Sequence, residues 1–188
     1  SDGKALQMGT SHNLGQHFSK VFNIRFEDRN QKLQYVWQTS WGVSTRLVGA
    51  LVMAHGDDSG LKIPPSVASF QVVVIPISIG NWKEKVLPAA RNIADDLKKK
   101  GVRVKLDERE EFTPGWKFSE WEMRGVPLRI EIGPKDIEKK QVVAVRRDTG
   151  KKEALTQASL GKTVTEILSR IQKNMFEMAL KFQEENTR

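Results

Sequence analysis

Up to residue 65 the apolar positions change rhythm twice. VFNIRF (21–26) and KLQYVWQTS (32–40) are β-rich, with Tyr35 and Trp37 alternating with Val36 across two faces and EDRNQ between them as a turn. They predict an antiparallel hairpin. From Val43 to Ala54 the side chains Val43, Leu47, Val48, Ala50, Leu51, Val52, Met53 and Ala54 cover nearly the whole circumference, the pattern of a helix buried on most sides. Ahead of both, residues 1–20 have glycines at 3, 9 and 15 among small polar side chains and read as loop until about Leu14. Pro64-Pro65 forms a stiff, extended connector.

Past the connector the pattern becomes that of a mixed α/β (α+β) unit. FQVVVIPI (70–77) is a continuous apolar run of strand length, as a central strand covered on both faces requires. In VLPAARNIADDLKKKG, Val86, Ala90, Ile93, Ala94 and Leu97 share one helical face, Pro88 belongs in the first turn, and Gly101 caps the end. VRVKLD (102–107) alternates as a strand, so residues 70–107 predict a β-α-β unit with a parallel pair. A short helix over 114–124, a strand at VPLRIEIG, a turn at PKD and a strand at QVVAVRR follow. Thr163 and Glu166 read as a capping box, and Val164, Ile167, Leu168, Ile171, Met175, Met178, Ala179 and Phe182 then run at helical spacing. That stripe is core or interface. Trp116, Phe118 and Trp121, interleaved with Lys117, are either packing or a platform for nucleotide bases.

One position breaks the apolar helix. Arg46 is its only ion, and a guanidinium taken out of water needs a partner. Gly42, Gly49 and Ala50 lie three or four positions away, leaving a bare face beside it. Two readings are open: a planar or anionic ligand on the arginine, or a structural ion pair with Asp57 or Asp58.

Composition narrows the class. The chain has 188 residues, 38% hydrophobic and 29% charged, and no apolar run long enough to span a membrane. With zero cysteines, disulfides and thiolate zinc sites are excluded, and no metal site is expected. The net charge is +8, from seven Lys or Arg against five Asp or Glu in residues 1–64 and 24 against 18 in residues 65–188. The second part is therefore the candidate polyanion surface, unless its charge serves only solubility.

WGVSTRLVGALVMAHGDDSGLKIPP resembles the third signature motif of class II aminoacyl-tRNA synthetases, most closely that of prolyl-tRNA synthetases, matching at Thr39, Ser40, Trp41, Gly42, Arg46, His55, Asp57, Asp58, Gly60, Pro64 and Pro65. LQMGTSHNLGQ resembles that family's pocket-lining stretch, and GWKFSEWEMRGVPLRIEIGPKD with VAVRRDTGKK resembles its anticodon-reading part. The resemblance implies residues 1–65 as the C-terminal portion of an antiparallel-sheet catalytic domain and residues 66–188 as a class IIa anticodon-binding domain, a mixed sheet flanked by helices.

The family's functional residues then fall on Arg46 as the catalytic arginine against ATP; on Gln7, Thr10 and Ser44 for the rest of the ATP site; on Thr10, His12, Ser40, Trp41 and Gly42 for the proline and tRNA-end pocket; and on Glu122, Arg129, Lys135, Asp136 and Lys151 for the anticodon. Carboxylates suit guanine N1 and N2, and Arg or Lys suit O6 and N7. ATP with Mg2+, proline and tRNA(Pro) are the implied ligands, in a cytoplasmic homodimer without membrane contact. Because the family's first two motifs are missing, a fragment inactive by itself is expected, its parent a proline–tRNA ligase. The rival reading is a non-catalytic tRNA-binding or regulatory module built on the same scaffold.

Overall fold

The computed structural model describes residues 5–187. It divides into two compact units, Ser1–Met53 and Ala54–Arg188.

In the first unit, β1 (Gly9–Gly15) pairs antiparallel with β4 (Gln38–Val43), α1 (His17–Val21) follows β1, and β2 (Arg25–Glu27) pairs antiparallel with β3 (Leu33–Tyr35). The expected hairpin is present as β2 and β3, but the stretch read as loop is a strand. GTSHNLG has weak strand propensity; pairing along nearly the full length of β4 decides its conformation. The helix α2 spans Arg46–His55, starting later than expected because Val43 ends β4. It is not covered on most sides: Ala50 is its one buried residue, and Val48 and Met53 are two-thirds exposed.

The second unit is a five-stranded mixed sheet, ordered β6-β5-β7-β8-β9. Next to the edge strand, β5 (Val72–Pro76) is buried along its whole length, between β6 (Val104–Leu106) and β7 (Leu128–Ile132), both parallel to it. β8 (Gln141–Arg146) and β9 (Lys152–Thr156) continue the sheet antiparallel. Val72 and Val74 face the larger core with α3 (Trp82–Lys99) and α6 (Leu160–Asn186); Val73 and Ile75 face a smaller one with Trp121 of α4 (Pro114–Met123). Each such side chain contributes about 1.5–3 kcal/mol when fully buried.

The β-α-β unit and its parallel pair are as expected. Gly101 closes α3 as expected too, its N–H bonding to the carbonyl of Lys98 while the Val102 N–H reaches Leu97. Pro88, however, lies inside α3, which begins at Trp82 because Trp82 extends the buried stripe upstream of Val86. The terminal helix also starts early: Leu160 is buried, and the Thr163 hydroxyl donates to the Ser159 carbonyl, so Thr163 and Glu166 form no capping box. Its stripe is core to Met175, after which Met178 and Phe182 emerge into solvent.

Residues 54–65, expected to close the first unit, pack with the second. The Leu61 N–H bonds to the Met123 carbonyl and the Ile63 N–H to that of Gly125. Asp57 is gripped by Arg147.

Candidate functional site

In the second unit the sheet faces α4 across a cavity of about 210 Å3. Its floor is set by strand register. Val73 on β5 is opposite Arg129 on β7, Arg129 is opposite Val145 on β8, and Val145 is opposite Lys152 on β9. Directly paired residues share a face, so these four side chains form one line across the sheet. Glu122, near the end of α4, and Arg146, Arg147 and Gly150 complete the polar wall. Four cations and one carboxylate line it, but Glu131, Asp148 and Asp57 pair with Arg129, Arg146 and Arg147, so Lys152 is the lining cation without an ion pair among the described residues, and the wall offers polar groups suited to base edges.

Arg129 is pre-positioned. Its Nε donates to Glu131 at 2.9 Å and its Nη1 to the Phe118 carbonyl at 3.2 Å, while the guanidinium lies 4.6 Å over the Phe118 ring. Glu122 stands 3.9 Å from Nη1. These bonds use Nε and one edge of the fork, and among the described residues the Nη2 group donates to none. Arg146 and Arg147 are engaged otherwise. The Asp148 carboxylate holds Arg146 at 2.6 Å and raises its pKa, and Arg147 holds Asp57 through both terminal nitrogens at 3.0 and 2.5 Å.

Of the five expected base-reading residues, Glu122 and Arg129 line this cavity and three do not. Lys135 and Asp136 belong to α5 (Pro134–Glu138), past the other end of β7. Asp136 is a helix cap: one oxygen accepts from the Gly133 N–H at 2.9 Å, the other from Gln141 at 3.3 Å. Lys151 precedes β9 in the exposed turn, and its neighbour Lys152 is the lysine that reaches the cavity. β9 was not read from the sequence, and only its alternation would have separated the two lysines. Of the aromatic cluster, Trp121 and Phe118 are packing, while Trp116 is stacked but 45% exposed. Trp121 is buried with its indole N–H donated to Asp107 at 2.7 Å, Trp116 stacks on Phe112 at 3.8 Å beneath Arg109, and Phe118 supports Arg129.

The first unit brings together another part of the expected set. Thr10 is paired with Gly42 and His12 with Ser40, so all four share one face of the β1–β4 ribbon. Ser11 and Trp41 are on the opposite face, and Trp41 is 80% exposed. A Cβ at position 42 would lie 3.1 Å from the Thr10 hydroxyl, so glycine keeps that face open. Arg46 donates from Nη1 to the carbonyl and the side-chain oxygen of Gln7, at 3.2 and 3.4 Å. The Ser44 hydroxyl oxygen accepts from the Arg46 N–H at 3.3 Å in the turn that leads into α2. Gly42 is in β4, so only Gly49 and Ala50 flank Arg46 on the helix. Asp57, a candidate partner for Arg46, is occupied by Arg147 and by Lys62 at 2.8 Å, and these bonds hold its pKa well below the usual carboxylate range.

Residues 71–167 match the sequence pattern of the anticodon binding domain. The chain belongs to that family. It is 59% identical over 187 residues to a proline–tRNA ligase of Natranaerobius thermophilus, 56% over 183 residues to one of Symbiobacterium thermophilum, and 54% over 188 residues to one of Chlorobium phaeovibrioides. These alignments cover 97–100% of this chain but only 37–39% of each relative. The cavity therefore lies inside the matched anticodon-binding segment, with every lining residue from Val73 to Lys152. Among the described residues no helix is long and apolar enough to cross a membrane, and no group of three or more His, Asp or Glu is placed to hold a metal ion.

Proposed function

We propose that the chain is the anticodon-reading domain and one edge of the ATP and proline pocket of a proline–tRNA ligase, a cytoplasmic homodimer that activates proline with ATP and Mg2+ and transfers it to tRNA(Pro). The observation that carries this reading is Arg129, held by Glu131 and the Phe118 carbonyl through Nε and Nη1, with its Nη2 group unbonded among the described residues and Glu122 beside it at the cavity. That pair offers a donor fork for guanine O6 and N7 and an acceptor for N1 and N2, the groups that distinguish guanine from other bases. Lys152 supplies the third contact at this cavity. Lys135, Asp136 and Lys151 remain proposed anticodon contacts at the rim.

In the first unit the adjacent Gln7 amide and Arg46 guanidinium, with Thr10, His12, Ser40 and Gly42 on one open polar face, fit a nucleotide and a small amino acid; Ser44 and Trp41 complete the proposed set. ATP supplies the leaving group that activates the carboxylate of proline, and Arg46 would hold the nucleotide in place by charge and planar contact.

Binding assays test the reading. In the full-length enzyme Arg129→Ala or Glu122→Ala is expected to cost about 1–3 kcal/mol towards tRNA(Pro), and little towards a tRNA whose two anticodon guanines are replaced. Lys152→Ala should weaken the same cavity, with a smaller effect from Lys151→Ala. Equal losses on both tRNAs would mean that these residues hold backbone or fold and read no base.

A further inference from the structure

We infer that residues 57–63, the DDSGLKI stretch that follows the Arg46 helix, are a buttress that positions Glu122 for base reading, with Asp57, Gly60 and Arg147 as positioning residues for anticodon selectivity. The inference rests on the reading of the cavity as the guanine site.

Glu122 sits one residue before the end of α4, where carbonyls lose their helical partners and a side chain loses its fixed direction unless something else ties the backbone. A local closure, from the Gly125 N–H to the Glu122 carbonyl at 3.0 Å and from the Val126 N–H to that of Trp121 at 3.2 Å, ties it once, and 57–63 ties it a second time. The N–H groups of Leu61 and Ile63 bond to the carbonyls of Met123 and Gly125, at 2.9 and 3.2 Å. Arg147 donates from Nε to the Glu122 carbonyl itself at 2.9 Å, and its two terminal nitrogens hold Asp57. One guanidinium thus joins the residue that carries the carboxylate to the start of the buttress.

The fit is close enough to dictate two glycines. Gly60 has a φ of 123°, and a Cβ there would fall 2.5–2.9 Å from backbone atoms of Met123. Gly125 has a φ of 73°, and a Cβ there would fall 2.7 Å from Leu61. Backbone atoms do not yield as a flexible side-chain tip does, so either side chain would push the end of α4 and the stretch 60–63 apart. Asp57 does not line the cavity, and Arg147, which does, has Nε bonded to the Glu122 carbonyl and both terminal nitrogens bonded to Asp57, so its role in this inference is to hold Glu122. Their effect on selectivity passes through Glu122, whose carboxylate must stand opposite the guanine edge to accept from it.

The experiment uses the full-length enzyme with Gly60→Ala, Asp57→Asn and Asp57→Glu, and with Glu122→Ala as the reference. Two readouts are taken: affinity for tRNA(Pro) and for the transcript with both guanines replaced, and proline-dependent ATP–pyrophosphate exchange without tRNA. Gly60→Ala and Asp57→Asn are expected to weaken tRNA(Pro) binding about tenfold, to leave the replaced transcript unaffected and to leave exchange unchanged. Asp57→Glu, which retains the carboxylate, should recover part of the loss. Should Gly60→Ala fail to fold, the two Asp57 variants carry the same comparison. Loss of exchange with selectivity intact, or equal weakening on both transcripts, overturns the buttress while Glu122→Ala still abolishes selectivity. Intact selectivity in Glu122→Ala overturns the guanine reading and the buttress with it.

Discussion

Asp107→Ala is expected to cost the chain about 3–5 kcal/mol of unfolding free energy, the range for breaking a buried ion network from one side. Asp107 is 1% exposed and its carboxylate accepts from Arg109 at 2.9 and 2.8 Å and from the Trp121 indole at 2.7 Å. Lys117, fully buried on α4, donates to the Asp107 carbonyl at 3.3 Å and has its ammonium 3.8 Å from the carboxylate. Arg109 also bonds to Glu120. Without the carboxylate, a lysine and an indole N–H stay buried with no acceptor of matching charge. Burial pushes the Lys117 pKa down, and Asp107 is the foremost of the carboxylates that oppose that, ahead of Glu111 and Glu110. Asp107→Asn keeps an acceptor for Trp121 and should lose less. The measurement is urea unfolding; a loss below about 1 kcal/mol, the size of an exposed ion pair, would mean that water replaces the carboxylate.

The same network gives a pH dependence with a defined sign. Burial alone would raise the Asp107 pKa, but bonds from Arg109 and Trp121 outweigh it and lower the value from 3.8 to about 2. A carboxylate held below its unfolded value adds stability that is complete above that value and disappears as pH falls through the folded one. Stability should therefore fall between about pH 4 and pH 2, and the fall should be shallower in Asp107→Asn. Because α4 carries both Lys117 and Glu122, acid loosening of this network should reach the cavity as well.

What the sequence made legible follows from the range of each interaction. The apolar run at 70–77 and the stripes of α3 and α6 record burial in their own periodicity, and the β-α-β unit, the parallel pair and the terminal helix could be read from it. β1 and β9 left no such record. GTSHNLG and KEALT have few β-branched residues and are strands because β4 and β8 pair with them. Pro88 misplaced the start of α3, since Trp82 and Val86 outweigh one missing helical bond. In the site, Glu122 and Arg129 came from family resemblance and were brought together by the fold; Lys152 was missed with its strand. The grip of Arg147 on Asp57 joins residues 90 positions apart, and no local pattern marks it.

The remaining large effect concerns the first unit. Arg46→Ala in the full-length enzyme is expected to lower proline-dependent ATP–pyrophosphate exchange by about 10²–10³, the loss typical when a positioned charge opposite developing negative charge is removed. Arg46 is exposed, and its contacts among the described residues are the two oxygens of Gln7, which orient a guanidinium without neutralising it. A structural ion pair would require a carboxylate; of the two candidates Asp57 is already held by Arg147 and Lys62, and Arg46 donates to Gln7, not to Asp58. The variant should thus keep the stability of the parent, because no buried charge loses its partner, and should keep its affinity for tRNA(Pro), because the cavity is built wholly from residues beyond Val73 and Asp57 is tied to Arg147. Gln7→Ala provides the companion measurement: freeing the guanidinium from its guide should raise the KM for ATP more than it lowers kcat. Normal exchange in Arg46→Ala, or unfolding of the variant, would remove Arg46 from the ATP site and return it to a role in holding α2 against β1.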